Sequence, residues 1–225
     1  MRRILAPAIP DVGATIVLPS AESHHLLQVI RIARGERVRV VDGRGAAAVA
    51  TLDGVVGDRA RLLVEAREER ASSPARVIVL GTPKPALVEE ALTLGAEAGA
   101  TTFLLVPARR SPPGSLREDR AMRVVQAAVT QCGRADVPQI RSGSSLVDVL
   151  EDDALRACAT RWLCDASGGD AAPVDGALAL AIGPEGGWDE PERAVLATAG
   201  FVPVTLAPFT LRTPTAVAVG LGRSW

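Results

Sequence analysis

From residue 76 onward the chain alternates short apolar runs with stretches that have helical spacing. The sequence between two such runs is long enough to hold a helix, and the runs themselves are too short and too apolar to be surface loops. This alternation predicts a mostly parallel sheet with helices on both faces, because parallel strands need long crossover connections and are buried on both sides. The apolar runs are 76–81, 101–107, 161–166, 177–183 and 201–207.

The first 70 residues follow a different rhythm. Glycine-containing turns separate short β-like runs, a pattern typical of a small β-barrel, and one helical stretch from Ser20 to Gly35 interrupts them. A polar segment, 68–75, ends in Ser-Ser-Pro and reads as a linker. The sequence therefore predicts two domains, a barrel at 1–70 and an α/β domain at 74–225. The expected strands of the barrel are 14–18, 37–43, 46–52 and 60–66.

The charge of the chain is nearly balanced, with a formal net charge of −1. Positive charge is nevertheless concentrated in the segment 31–44, where Arg31, Arg34 and Arg37 face few acids. Such a cluster could bind the phosphates of a nucleic acid. It could equally be the solvated edge of a strand, and the cluster alone leaves both interpretations open.

Several classes of protein are not expected. No apolar stretch is long enough for a membrane helix, and Pro7 and Pro10 interrupt the N-terminal segment, so we expect a cytoplasmic protein with no membrane partner. His24 and His25 are adjacent and no third histidine exists, so neither a metal site nor Ser–His catalysis is expected.

The segment "IGPEGGWDEPE", 182–192, is the strongest candidate for a site. Asp189 and Glu192 have the spacing of a capping box with Pro191 between them, so a helix begins just after Trp188. The preceding loop thus lies at the carboxyl end of a parallel strand, where open α/β sheets bind ligands. Two adjacent glycines could expose the backbone to a ligand, or they could simply form a tight turn.

This loop does not match the known phosphate-binding patterns. It contains neither G-x-G-x-x-G nor the G-x-x-x-x-G-K-[ST] of a phosphate loop. A ligand recognised through backbone and apolar surface fits better, such as an adenosine moiety without a triphosphate. A nucleotide-dependent oxidoreductase is disfavoured for the same reason.

Three further segments carry arginines near the expected ends of strands or helices. They are 106–115 with Arg110, 130–138 with Arg134, and 206–220 with Arg212 among threonines. Each could be a solvated loop or a capped helix end. Together they predict that arginine-bearing loops gather near one edge of the sheet.

In this order along the chain, these segments resemble the RsmE family of ribosomal RNA methyltransferases, within the SPOUT class. The resemblance covers nearly the whole chain. It is carried by 24–45, "AEAGATTFLLVPARRS" (96–111), "QCGRADVP" (131–138), "IGPEGG" (182–187) and "LRTPTA" (211–216). The pairing of the last two segments is its most specific part.

The resemblance implies a PUA-like β-barrel that helps to bind RNA, followed by a SPOUT α/β domain with a trefoil knot and a mostly parallel sheet. It implies a homodimer that uses S-adenosylmethionine to methylate N3 of a uridine in small-subunit ribosomal RNA, either free or in the assembled subunit. The cofactor would contact Ile182, Gly183, Pro184, Gly186, Gly187, Leu206, Leu211, Arg212 and Thr213.

The resemblance also implies roles for polar residues in RNA binding and methyl transfer. Arg134 or Arg212 is expected to stabilise the anionic uracil, and Glu185 is a candidate base. Two alternatives stay open: another SPOUT enzyme that methylates a ribose or a transfer RNA base, and a non-catalytic RNA-binding protein. The expected RNA-binding residues are Arg31, Arg34, Arg37, Arg110, Gln131 and Arg134.

The chain departs from the family pattern at Pro214. The family usually has a glutamate between the two threonines of the "LRTPTA" segment, Thr213 and Thr215, where this chain has a proline. Proline has neither an amide hydrogen nor a carboxylate, so any role of that glutamate is absent or is performed by another residue.

Overall fold

The computed structural model describes residues 1–68, 73–113 and 117–224. Half of the predicted linker, 69–72, lies outside the described residues. The chain folds as two units. The first comprises Met1–Ser72 and Val129–Val137, and the second comprises Ser73–Ala128 and Pro138–Trp225. The short segment 129–137 thus belongs to the N-terminal unit, whereas the sequence assigned it to the second domain. The predicted roles of 1–70 in RNA binding and of 74–225 in catalysis stay predictions.

The N-terminal unit is built on a five-stranded sheet in the order β1-β3-β4-β5-β2. Neighbouring strands are antiparallel, except that β1 runs parallel to β3. Alternate residues such as Val38 and Val40 are fully buried, so one face of the sheet packs on the core. The strands are β1 (Arg2–Leu5), β2 (Thr15–Val17), β3 (Arg37–Val41), β4 (Ala47–Val56) and β5 (Arg59–Glu68).

The expected helix from Ser20 to Gly35 is wrong in length and type. Helix α1 covers only Ser20–His24, and a π-helix follows at His25–Val29. The amide of Ile30 donates to the carbonyl of His25 at 2.9 Å, the five-residue spacing that defines this wider turn. Leu26 is fully buried, and the β-branched residues that follow it favour an α-helix poorly.

The second unit contains a six-stranded parallel sheet in the order β11-β9-β10-β6-β7-β8. The strands Arg76–Gly81, Thr102–Val106 and Leu178–Ile182 are short and fully buried, as the sequence predicted. The strand Gln139–Ser142 was not predicted from the sequence, and the strand Thr160–Asp170 is longer than the expected 161–166. The strands are β6 (Arg76–Gly81), β7 (Thr102–Val106), β8 (Gln139–Ser142), β9 (Thr160–Asp170), β10 (Leu178–Ile182) and β11 (Val202–Thr205).

Helices cover both faces of this sheet. On one face, Val77 and Val79 of β6 share a core with Leu155 and Leu196. On the other face, Gly220 approaches Leu180, and Gly95 lies against the ring of Phe103. The helices are α2 (Pro85–Glu97), α3 (Glu118–Cys132), α4 (Leu146–Leu150), α5 (Asp153–Arg156), α6 (Glu190–Thr198) and α7 (Thr213–Gly222).

The helical pattern of residues 146–159 predicts a single helix, and this prediction is wrong because the segment forms two helices, α4 and α5. The carboxylate of Asp152 accepts a hydrogen bond from the amide of Ala154 at 2.9 Å and so caps a new helix, α5. Aspartate in a helix interior competes for backbone amides in this way, which explains the break after α4.

A buried arginine fixes the end of α7 to the start of β6. Arg76 is 1% exposed, and its guanidinium donates to the hydroxyl and the carbonyl of Ser224 at 2.9 and 2.8 Å, and to the carbonyl of Gly176 at 2.5 Å. Every one of these acceptors is neutral. The buried charge is therefore stabilised by hydrogen bonds to carbonyl and hydroxyl dipoles.

We expect Arg76→Ala to lower the free energy of unfolding by about 3 kcal/mol, because buried carbonyls lose their donors. Urea denaturation followed by circular dichroism measures this difference. Arg156→Ala is the matched control. Arg156 forms an ion pair with Glu151 in solvent, and its loss should cost at most about 1 kcal/mol. Equal losses from the two variants would contradict the role of Arg76.

Candidate functional site

Three loops enclose a cavity at the carboxyl edge of the parallel sheet. The cavity has a volume of about 540 Å³, which lies within the usual range for a small-molecule site. Ten of the residues predicted from the sequence line it together. They are Arg110, Ile182, Gly183, Pro184, Glu185, Gly186, Gly187, Leu211, Arg212 and Thr213.

The loop after β10 is a tight turn closed by its own backbone. The amide of Gly187 donates to the carbonyl of Pro184 at 2.8 Å, and Gly187 has φ of +68°, which favours glycine. A Cβ at Gly183 would stand 3.0 Å from backbone atoms of Gly187 and Trp188. Glycine is therefore required at both ends of the turn, and the wall it presents to the cavity is largely backbone.

The floor of this loop packs on the end of strand β6. A Cβ at Gly81 would meet Pro184 at 2.8 Å and the indole ring of Trp188 at 2.9 Å, so the absence of a side chain there permits the close approach. Trp188 is 5% exposed, and its Nε1 has no hydrogen-bond partner among the described residues. An unpaired buried donor costs about 1–3 kcal/mol, so apolar packing is what keeps the indole in the wall.

Hydrogen bonds join the three loops at the cavity. The hydroxyl of Thr213 donates to the carbonyl of Gly183 at 3.2 Å, which ties the first turn of α7 to the glycine loop. The guanidinium of Arg110 donates to the carbonyl of Gly186 at 2.7 Å. The wall of the cavity is therefore held from both sides by the neighbouring loops.

The predicted capping box of α6 is confirmed. The carboxylate of Asp189 accepts from the amide of Glu192, and the carboxylate of Glu192 accepts from the amide of Asp189, both at 2.9 Å. The second oxygen of Glu192 accepts from the amide of Arg109 at 2.8 Å. One carboxylate thus fixes both the start of α6 and the loop after β7.

Sequence reasoning missed a polar part of the cavity wall. Cys164, Asp165 and Ala166 of β9 line the cavity, and so does Arg193 from α6. Asp165 forms an ion pair with Arg193, and it accepts hydrogen bonds from the amide and hydroxyl of Ser167 at 2.9 and 2.6 Å. The available signal was the position of Asp165 at the carboxyl end of an expected strand.

The charge of Asp165 is maintained by these contacts. Burial raises the pKa of Asp165, but hydrogen bonds from Arg193 and Ser167, together with the charge of Arg193, more than offset it. The pKa of this carboxyl group therefore lies below its ordinary value. The cavity contains an ionised, already paired acid at neutral pH.

Cys164 behaves differently. Although part of its surface faces the cavity, protein atoms surround the thiol, and burial and the charge of Asp165 raise its pKa to about 12. The thiol is therefore neutral near pH 7. A protonated thiol is a poor nucleophile, so Cys164 is suited to packing rather than to covalent catalysis.

We expect Cys164 to react with iodoacetamide at pH 8 roughly 50-fold more slowly than a free thiol of pKa about 8.5, after allowing for the greater nucleophilicity of a more basic thiolate. The rate should rise with pH up to about 12. Mass spectrometry of the tryptic peptide measures it, and protein unfolded in urea provides the control. Equal rates in the folded and unfolded protein would contradict the raised pKa.

The two predicted catalytic groups at the cavity are both exposed. Arg212 is the N-cap residue of α7, its side chain is 67% exposed, and its nearest acid is Glu90 at 3.6 Å. Glu185 is exposed and has no hydrogen bond or ion pair among the described residues. Both side chains can therefore reach a substrate without first breaking a buried interaction.

Leu206 lies in a second, smaller cavity of about 110 Å³. It is 8% exposed, and its carbonyl accepts from the guanidinium of Arg223 at 2.7 Å. Leu211 lines both cavities, so the loop between β11 and α7 forms their shared wall.

Pro214 is buried in the first turn of α7. The amides of a first turn have no partner within the helix, so proline loses no hydrogen bond there, and its fixed φ suits the helix start. The departure from the family pattern is therefore compatible with an intact α7.

Three of the predicted RNA-binding arginines in the N-terminal unit, Arg31, Arg34 and Arg37, are exposed. Arg31 has φ of +57°, a strained conformation for a residue other than glycine. Arg34 lies 3.9 Å from Asp53, and Arg37 forms an ion pair with Glu65 at 2.7 Å. These acids neutralise part of the cluster, while the arginine side chains keep most of their surface in solvent.

Gln131 and Arg134 lie in segment 129–137 of the same unit. Arg3 donates to the carbonyl of Gln131, and Arg39 donates to that of Gly133, so two guanidinium groups hold this backbone. The side chain of Arg134 is 16% exposed and pairs with Asp136 at 2.5 Å. Arg134 is not among the described residues that line the cavity.

Two general features concern the described ranges only. Within 1–68, 73–113 and 117–224, no group of histidine, cysteine, aspartate or glutamate residues is arranged to hold a metal ion. Within the same ranges, every helix is too short or too polar to cross a membrane.

Comparison with family models gives two matches along the chain. Residues 71–224 match an RNA methyltransferase domain, and residues 18–62 match an RNA methyltransferase PUA domain. The first match covers more than half of the chain and contains all three loops of the cavity.

Comparison with individual proteins gives similar results. The chain is 35% identical to ribosomal RNA small subunit methyltransferase E of Mycobacterium tuberculosis (strain CDC 1551 / Oshkosh), over 95% of this chain and 87% of that protein. It is 29% identical to the protein of that name from Synechocystis, over 99% of this chain and 76% of that protein. The structure also resembles that of the Neisseria gonorrhoeae protein of the same name, which was solved bound to S-adenosyl methionine. The TM-score is 0.86 and the sequence identity is 26%, and the match covers 99% of this chain and 95% of that chain.

Proposed function

The chain belongs to the RsmE family of ribosomal RNA small subunit methyltransferases, and we propose that it transfers a methyl group from S-adenosylmethionine to N3 of a uridine in small-subunit ribosomal RNA. The predicted fold class is confirmed: a SPOUT α/β domain with a parallel sheet follows a PUA-like N-terminal domain. The predicted cofactor is also confirmed by the cofactor bound to a related structure of the same fold.

One observation carries the proposal. The loops 107–112, 183–188 and 206–212, which are far apart in the sequence, meet around a cavity whose main wall is bare backbone. Adenine offers hydrogen-bond donors and acceptors that backbone groups can read. A wall that is largely backbone, with no lysine among the described lining residues, therefore suits an adenosine without a phosphate tail.

The cavity fits S-adenosylmethionine in size and chemistry. Gly183, Pro184, Gly186 and Gly187 would form the backbone wall, with Ile182 beneath them. Leu211 and Thr213 would form the opposite side, and Leu206 would support it from the smaller cavity. When bound, the cofactor supplies the electrophilic methyl group on its sulfonium.

Methylation at N3 requires loss of the N3 proton and stabilisation of the negative charge that remains on uracil. Arg212 can donate to a carbonyl oxygen of the uracil anion, since its guanidinium is exposed at the rim and only weakly paired. Glu185 is the acid on the same rim that could accept the proton. Arg134 stays a second candidate for the first role, although its pairing with Asp136 would have to be exchanged for the substrate.

We assign RNA binding to exposed groups on both units. Arg110 would bind phosphate or base at the cavity, while it still holds the carbonyl of Gly186. Arg31, Arg34 and Arg37 of the first unit would contribute salt-dependent phosphate contacts, and Gln131 and Arg134 of the same unit would add polar contacts to RNA. The proposed substrate is small-subunit RNA, free or in the subunit, and the proposed state is a cytoplasmic homodimer.

Labelled S-adenosylmethionine and purified substrates test this function. We expect methyl incorporation into small ribosomal subunits or their RNA, and none into transfer RNA. Mapping of modified uridines with and without the gene then identifies the nucleotide. Incorporation into transfer RNA or ribose would favour another SPOUT enzyme. RNA binding without calorimetric binding of the cofactor would indicate a non-catalytic protein.

A further inference from the structure

The loop between β11 and α7 carries an exposed aromatic side chain. Phe209 is 81% exposed. The other described aromatic residues, Phe103, Phe201, Trp162 and Trp188, are at most 5% exposed. In a chain with only 3% aromatic residues, Phe209 is thus the described aromatic side chain that is left in solvent.

Phe209 stands on an anchored loop. Before it, the carbonyl of Leu206 accepts from Arg223 at 2.7 Å. After it, the hydroxyl of Thr213 donates to the carbonyl of Gly183 at 3.2 Å. The phenyl ring is therefore presented from a segment whose two ends are fixed to the rest of the unit.

Phe209 lies at the edge of the cofactor cavity. It lines the smaller cavity of about 110 Å³. This cavity shares several residues with the larger one: Cys164, Asp165, Ala166, Thr210, Leu211 and Ala216. The ring thus lies beside the cavity that is proposed for the cofactor.

The chemistry around Phe209 matches an unpaired nucleobase. The side chain of Arg212 is 67% exposed three residues away, and Arg110 is exposed on the rim of the larger cavity. Aromatic faces beside exposed guanidinium groups bind unstacked bases, because the ring stacks on the base and the cations attract phosphates. Other exposed apolar side chains of this unit, Val147 and Val202, are aliphatic and do not line either cavity.

We propose that Phe209 is a stacking platform for an unpaired RNA base at the rim of the cofactor cavity, an inference that rests on the proposed function. An enzyme that modifies a base inside structured RNA must hold it outside its stack, and an aromatic face lowers the free energy of that exposed state. A second copy of the chain is a poorer occupant, since one ring between Thr210 and exposed arginines is much smaller than the apolar centre of a stable protein interface.

Binding of short fluorescent oligouridine, compared with an abasic strand of the same length, tests the proposal by anisotropy. We expect Phe209→Ala to weaken oligouridine binding about tenfold, and Phe209→Trp to retain or strengthen it. The abasic strand should bind all three proteins equally, because it keeps the phosphates. Val147→Ala, which also removes an exposed apolar side chain, should behave as wild type.

Three results would overturn the platform. Phe209→Ala could lose the same affinity for both strands, or lose affinity for neither, or the wild-type protein could bind the abasic strand as tightly as oligouridine. A change of oligomeric state in Phe209→Ala, measured by sedimentation, would assign the ring to a protein interface and would also overturn it. Methylation of small-subunit RNA separates this proposal from the proposed function. Wild-type methylation with unchanged KM for RNA in Phe209→Ala would refute the platform alone, whereas base-dependent binding without methylation would refute the function alone.

Discussion

Gly183→Val is expected to weaken binding of S-adenosylmethionine at least about a hundredfold. A Cβ at this position would stand 3.0 Å from backbone atoms of Gly187 and Trp188, and valine adds two further carbons. Backbone cannot move aside as a long side chain can. The turn must therefore open, and the carbonyl that Thr213 binds moves with it.

Isothermal titration calorimetry of the purified variant measures this loss. Gly222→Val is the matched control, because a Cβ there has no neighbour within 4 Å and the position lies at the far end of α7. The cofactor affinity of Gly186→Ala should lie between those of Gly183→Val and Gly222→Val, since the new Cβ would meet the flexible side chain of Arg110 at 3.1 Å. If folded Gly183→Val protein binds the cofactor with wild-type affinity, the backbone wall does not hold it.

Arg212→Ala is expected to lower kcat for methyl transfer by about 100- to 1,000-fold, the range for loss of one donor to a developing oxyanion. The dissociation constant of the cofactor should stay close to that of wild type, because Arg212 is expected to contact the cofactor through its backbone, which alanine keeps. Arg212→Lys should fall between alanine and wild type, since lysine keeps the charge but lacks the planar pair of donors.

Single-turnover kinetics with labelled cofactor on small-subunit RNA separates these effects. Glu90→Gln is the control, because it removes the acid 3.6 Å from Arg212 and leaves the guanidinium in place. Arg134→Ala is tested in parallel. If Arg134→Ala loses much of its kcat while Arg212→Ala keeps full activity, then Arg134, and not Arg212, stabilises the uracil anion.

Those parts of the fold that depend on local pattern could be predicted from the sequence. The buried strands of the second unit follow from apolar runs, and the start of α6 follows from the spacing of Asp189 and Glu192. The glycine loop was placed at the carboxyl edge because strand and helix signals bracket it. These predictions rest on interactions between residues close in sequence.

The features that the sequence did not predict depend on contacts between distant residues. The π-helix at His25–Val29 lies in a segment whose helical pattern looks ordinary, and its Leu26 is fully buried against residues distant in sequence. The ion pair between Asp165 and Arg193 joins β9 to α6, and no spacing rule relates them. Segment 129–137 belongs to the first unit because Arg3 and Arg39 bind its carbonyls, which no local signal reveals.

The membership of segment 129–137 in the N-terminal unit has an evolutionary consequence. A gene fragment that encodes only the first 72 residues would omit the carbonyls that Arg3 and Arg39 bind, as well as the backbone partners of Gly43 and Gly45 in the same unit. Such a piece would carry unsatisfied donors and acceptors wherever it was transplanted. A recombination event that moves this unit intact must therefore carry residues 1–137 as one piece, including the part of the second unit that lies between its two segments.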